Sequence, residues 1–183
     1  MDQELISKII SEDNSFNEAT FKSYVDNMYV KIYSAIMYDE LDTVKHFMTE
    51  ELYQNYKQQI EHLNSKNLRQ MYDELNVKST SIIDFKSTDT DLIITVHLTS
   101  RYLDYYLNKE TGDFVSGNNQ SRVEKQNILT FTKRKNFLTQ KVARKCPGCG
   151  ASISVNTNGI CSYCGTTYNL EDYDYILTGI KMQ

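Results

Sequence analysis

Apolar residues in the first third of the chain fall at helical spacing. Leu5, Ile6, Ile9 and Ile10 form a short stripe, and from Phe21 onward Val25, Met28, Ile32, Ala35 and Ile36 recur at steps of three and four, which marks one face of a long amphipathic helix. Ser15-Phe16-Asn17-Glu18 precedes that run with the form of a capping box, in which Ser15 and Glu18 would satisfy each other's backbone donors. Asp39-Glu40-Leu41-Asp42 breaks the pattern, and Leu41, Val44 and Phe47 suggest a brief second helix. Thr49 followed by Glu50 and Glu51 marks a further N-terminus, with carboxylates at the positive end of the helix dipole. Leu52, Tyr53, Tyr56, Ile60 and Leu63 give that helix its apolar face, and Asn64-Ser65-Lys66-Asn67 ends it.

The period then changes to two. Leu75, Val77, Ser79, Ser81, Ile83 and Phe85 alternate with mostly polar residues, Lys86 to Asp91 is a turn, and Leu92, Ile94, Val96 and Leu98 begin a second strand that continues toward Tyr106. Asn108 to Asp113 and Gly117-Asn118-Asn119 read as turns. Val123, Lys125, Asn127, Leu129 and Phe131 follow as a third strand, and Phe137 to Val142 as a fourth. Helices followed by about four antiparallel strands predict an α+β fold, the helices on one face of a curved sheet. The expected division is a domain over residues 1–142 (helices in 1–66, strands in 67–142), a small module over 143–170 and a tail over 171–183. Tyr173, Tyr175, Ile176, Leu177 and Ile180 make the tail too apolar to float free, so it either docks the module onto the larger domain or continues a strand.

Composition refines this picture in three ways. Proline occurs once in 183 residues, at Pro147, which favours long uninterrupted elements. The net charge of −4 argues against nonspecific nucleic-acid binding by the whole surface. Between Lys133 and Lys145, however, Lys133, Arg134, Lys135, Lys141, Arg144 and Lys145 stand with no acid among them. A solvated strand edge, where lysine discourages edge pairing, is the favoured reading of this band over an anion-binding patch.

All four cysteines lie in the small module, as Cys146-Pro147-Gly148-Cys149 and Cys161-Ser162-Tyr163-Cys164. Two C-x2-C pairs supply four thiolates that converge on one tetrahedral cation, so Cys146, Cys149, Cys161 and Cys164 are the expected ligands of a structural Zn2+ ion in a zinc ribbon. Gly150 and Gly165 follow the pairs, where the chain must swing clear of the metal with a positive φ. Two disulfides or four free thiols are the alternatives. Disulfides require an oxidising compartment, and the acidic start Met1-Asp2-Gln3-Glu4 has no long apolar run behind it to serve as a secretion signal, so a cytoplasmic location is expected. No stretch reaches the roughly 18 apolar residues of a membrane span.

Catalytic candidates are few. His97 is the one histidine on an expected strand, with Asp104 on the same side if that strand runs unbroken, but seven extended residues separate them by about 23 Å, too far for one dyad. His46 and His62 are expected to be solvated, and the pairs Asp39/Glu40, Glu50/Glu51 and Asp73/Glu74 to be caps and exposed faces. No glycine-rich phosphate loop or nucleophile elbow is present. The stripe at Leu5 to Ile10 either packs across the domain or lies on a membrane or in a partner's groove, and with Lys8 its only base a protein groove is the better version.

Several segments together resemble a known family. Arg101-Tyr102-Leu103-Asp104-Tyr105-Tyr106, the Thr111-Gly112 turn with Val115-Ser116-Gly117, Glu124 with Thr130-Phe131-Thr132, and the Lys145-Cys146-Pro147-Gly148-Cys149-Gly150-Ala151 and Tyr163-Cys164-Gly165 motifs are similar to bacterial proteins of the Tim-forty-four-like family. The resemblance spans roughly Phe16 to Asn169. It implies a cone-shaped domain of the nuclear-transport-factor-two type joined to a C-terminal zinc ribbon. In the mitochondrial relative such a domain contacts lipid and translocase partners without catalysis, so the resemblance implies a non-enzymatic binding or scaffold protein with a protein partner. Peripheral membrane contact and a homodimer are further options, and nucleic acid is not the expected partner. The alternative is a small-molecule-binding or enzymatic cone domain that uses an open pocket; a pocket plugged by Tyr or Phe would count against it. A weaker alternative is a nucleic-acid-associated zinc-ribbon protein that acts through the ribbon and the basic band.

Overall fold

The computed structural model describes residues 2–135, 150–151, 163 and 175–183. Its elements are α1 (Asp2–Glu12), α2 (Glu18–Met37), a short 3-10 helix (Leu41–Phe47), α3 (Glu50–Ser65), β1 (Leu68–Ser87), β2 (Asp91–Asn108), β3 (Phe114–Arg134) and β4 (Ile176–Met182). The strands form one open antiparallel sheet in the order β1-β2-β3-β4, and the helices pack against it. The first three strands run for 20, 18 and 21 residues, the long elements that a chain almost without proline allows.

Burial follows the two periods. Phe21, Val25, Met28 and Ile32 of α2 meet Leu92, Ile94, Val96 and Leu98 of β2 and Leu129 and Phe131 of β3 in one core. Each such buried side chain contributes about 1.5–3 kcal/mol relative to exposure. Thr49 caps α3 as expected, its hydroxyl accepting from Leu52 N.

Other boundaries differ from the sequence reading. Asn17 caps α2, with its side chain accepting from Thr20 N at 2.9 Å, so the Ser15/Glu18 box does not form. Ser15 donates its hydroxyl to Asp13 at 2.6 Å instead, because that carboxylate is the stronger acceptor. Strand β1 starts at Leu68, well before the alternation at Leu75. Glu74 has φ +56 and the pairing slips between Asp73 and Asn76, and this bulge breaks the period of two that would have marked the strand's beginning.

The Gly117-Asn118-Asn119 turn lies inside β3. Asn118 Oδ1 accepts from the backbone of Gln120 and Ser121. Gly117, at φ +102, approaches β2 so closely that a Cβ would sit 2.5 Å from Tyr105 Cα. The fourth strand expected at Phe137 to Val142 falls outside the described residues. The fourth strand of this sheet comes from the tail, where Ile176–Met182 pairs antiparallel with β3 and Leu177 O accepts from Thr49 N at 3.1 Å.

Candidate functional site

Tyrosines fill the space between the helices and the sheet. Tyr29 and Tyr33 project one turn apart from α2, Tyr56 comes from α3, Tyr72 from β1 and Tyr102 from β2. Ring centroids lie 4.4 Å apart for Tyr29 and Tyr33, 4.7 Å for Tyr33 and Tyr72, and 5.3 Å for Tyr72 and Tyr102. The Tyr29 hydroxyl is 3.1 Å from Ser100 Oγ and receives a hydrogen bond from Asn127 Nδ2 at 3.1 Å. Burial pushes the hydroxyls of Tyr33, Tyr56, Tyr72 and Tyr102 far above the ordinary tyrosine range, so they stay protonated. Such a layer combines apolar bulk with neutral donors. Among the described residues it packs into the core between α2, α3 and the sheet.

The catalytic candidates do not converge. His97 points away from the helices, its Nε2 3.3 Å from Gln126 Oε1. Asp104, expected on the same side, points toward the helices, where it accepts from Gln70 Nε2 at 2.6 Å and lies 3.6 Å from Lys125 Nζ. Residues an odd number apart on a strand face opposite ways, which corrects that expectation. His62 is exposed, as expected, but His46 is only 9% exposed. The 3-10 helix that carries it lies against α2, and its ring packs 4.1 Å from Phe47. Burial and then the Lys31 ammonium hold the His46 pKa below the ordinary histidine value.

Half of the acids in these pairs have basic partners that the sequence did not reveal. Asp39, at φ +58, lies 2.7 Å from Lys109 and 3.7 Å from Arg69. Glu50 pairs with Lys45 at 2.9 Å and Glu74 with Arg122 at 2.6 Å, while Asp73 accepts a short hydrogen bond from Tyr105.

The basic band is partly internal: Lys133 and Lys135 have acidic partners within the domain, which corrects the solvated reading for those two, while Arg134 is exposed. Lys133 is buried with its Nζ 2.7 Å from Asp13 Oδ2, and Lys135 lies 3.1 Å from Glu12 Oε2. β4 pairs with β3 from Asn127 to Thr132, just before this stretch, and the acids come from the end of α1, 120 residues away in sequence for Lys133. Lys141, Arg144 and Lys145 lie outside the described residues. The α1 stripe packs across the domain: Ile9 is fully buried, Leu5 and Ile6 rest on the core, and Ile10 is 44% exposed.

A second polar constellation was not foreseen. A cleft of about 250 Å³ opens between α2 and the 3-10 helix, lined among others by Lys31, Ser34, Tyr38, Thr43, His46 and Phe47. Lys31, Ser34 and Tyr38 are spaced by three and four, a signal for one polar face of α2, but nothing in the sequence ties that face to His46.

Cys146, Cys149, Cys161 and Cys164 lie outside the described residues, as does Gly165. Gly150 has φ +73, the left-handed conformation expected there. Among the described residues no cluster of histidine, cysteine, aspartate or glutamate is placed to hold a metal ion, and no helix is long and apolar enough to cross a membrane.

A family model described as the Tim44-like domain matches residues 2–143. No curated protein matches the chain. Among solved structures the chain is similar to the crystal structure of the intermembrane space region of the chloroplast protein ARC6. The identity is 10%, the match covers 91% of this chain and 96% of that one, and the TM-score is 0.44.

Proposed function

Because the chain belongs to the Tim44-like domain family, we propose that it is a non-enzymatic binding or scaffold protein that works by holding a protein partner. The observation that carries this reading is the tyrosine layer. A reaction chamber between the helices and the sheet would need room for substrate and converging polar groups, and that space is taken by Tyr56 and by Tyr29, Tyr33, Tyr72 and Tyr102, the last four linked ring to ring. Further support comes from His97 and Asp104, which face opposite sides of the sheet.

On the same reading the segment 143–170 is a zinc ribbon held by Cys146, Cys149, Cys161 and Cys164. A set of four thiolates suits tetrahedral zinc, which would supply folding free energy to a module too small for a core of its own. The positive φ of Gly150 supports this assignment. Thiolates remain available in a reducing compartment, and the proposed location is the bacterial cytoplasm.

Full-length protein used as bait in a native lysate should retain a stoichiometric protein partner, and the complex should re-form from purified components. Saturable turnover of a small molecule that is lost in Tyr29→Phe or Tyr33→Phe would overturn the non-enzymatic reading. Recovery of phospholipid or of a second copy of the chain alone would replace the protein partner. Elemental analysis should find one zinc per chain, reduced in Cys149→Ser and Cys161→Ser. Chelation should leave the circular dichroism of the helices and sheet intact, and its collapse would overturn the division near residue 143.

A further inference from the structure

We propose that the cleft between α2 and the 3-10 helix binds a small organic oxyanion, a carboxylate or phosphate carried on a short apolar body. Three donors line this space of about 250 Å³, and none of them bonds to a protein acceptor among the described residues. Lys31 makes no ion pair, and its ammonium stands 5.7 Å from the centre of the Phe47 ring. The Ser34 hydroxyl makes no hydrogen bond, although serines inside helices commonly bond the carbonyl one turn back. His46 is nine-tenths buried and its ring makes no hydrogen bond either. None of the three is bound to the protein among the described residues, so a ligand that accepts all three bonds displaces only water from them.

The chemistry of the ligand follows from the lining. Lys31 supplies the charge, and Ser34 and neutral His46 each supply a directed donor. Val44 and Phe47 form an apolar wall, and the volume lies below the roughly 300 Å³ at which drug-sized pockets begin. A head group on a body of a few carbons therefore fits. Glu40 is the carboxylate that lines the cleft, while nearby Asp42 accepts from Tyr53 and Lys45 pairs with Glu50. A single acid facing a single ammonium favours a monovalent head group. This site lies apart from the tyrosine layer and does not depend on the partner assigned above.

The test is an NMR titration of the full chain with butyrate, butyl phosphate and, as the cationic control, butylammonium, following the ring resonances of His46. At least one oxyanion should bind saturably with Kd at or below about 1 mM, and its binding should raise the His46 pKa, because an anion beside the ring stabilises imidazolium. Lys31→Met should weaken binding about tenfold or more, as the loss of a charge-assisted contact does, and Ser34→Ala should weaken it less. The stronger of the two oxyanions identifies the head group. Absence of a saturable shift from both, equal binding of butylammonium, or unchanged affinity in Lys31→Met would overturn the site. Because Lys31 is exposed, that variant decides the matter even if His46→Gln does not fold.

Discussion

On the sheet side of α2 the Tyr29 hydroxyl lies 3.1 Å from Ser100 Oγ and 3.1 Å from Asn127 Nδ2, whereas on the opposite side Lys31, Ser34 and His46 face a cleft and bond to no protein acceptor among the described residues. Both faces place polar groups near or inside the protein. On the first, groups from α2, β2 and β3 satisfy one another, and of that triad Asn127 Oδ1 alone lacks a partner. The buried pair of Asp13 and Lys133 follows the same principle at the end of α1. Groups that answer each other across elements fix how those elements dock, because each loses its partner if the packing shifts. Groups that face a cleft fix nothing internal and are available to a ligand.

The largest expected break in this contrast is at the ion pair. Lys133→Met leaves the Asp13 carboxylate buried and uncompensated, which should cost about 3–5 kcal/mol, read as a lower urea midpoint at unchanged slope. Replacing both members, as Asp13→Leu with Lys133→Met, should recover most of that loss. Acid provides a second reading of the pair. Burial raises the Asp13 pKa, but the hydrogen bonds and charge of Lys133 and the bonds from Ser15 outweigh it, and the net shift is downward. Its contribution to stability is thus present above the unfolded value of about 3.9 and is lost as pH falls through the lower folded value. Stability should fall less steeply with acid below about pH 4 in Asp13→Asn than in the parent chain.

Next in size is Tyr29→Phe, which leaves Ser100 and Asn127 buried without their shared partner. A loss of about 1–3 kcal/mol is expected, again read from the urea midpoint. A change below about 0.5 kcal/mol would mean that the triad does not hold α2 to the sheet.

How far each face could be read from the sequence follows from the range of its interactions. The apolar stripe of α2, the Thr49 cap and the alternation of β2 are local patterns, and each appears where the spacing of side chains predicts it. Strand β1 was legible only from Leu75, because the bulge at Glu74 resets the period. Lys133 looked like a solvent-facing base because its acid lies 120 residues earlier and the Tyr175 ring that packs against its ammonium lies at the far end of the chain. His46 looked solvated among charged neighbours. A seven-residue 3-10 helix has too few turns to show a face, and the docking of that helix on α2 buries the ring.

The smallest expected change is the one that most sharpens the comparison. His46→Leu removes a nearly buried polar ring that has no hydrogen bond to lose, so at pH 8 it should change stability by no more than about 0.5–1 kcal/mol, and its sign could favour the variant. Protonation reveals the rest. The folded pKa of His46 lies below the ordinary value, through burial first and Lys31 second. The unfolded chain therefore takes up a proton near pH 6.5 before the folded one does, and the parent loses stability as pH falls from about 6.5 through the lower folded value. His46→Leu should lack that loss, so the difference between variant and parent should grow in the variant's favour from pH 8 to pH 5. A cost in His46→Leu as large as that in Tyr29→Phe, constant with pH, would show that the ring is bound into the protein and that the two faces of α2 are built alike.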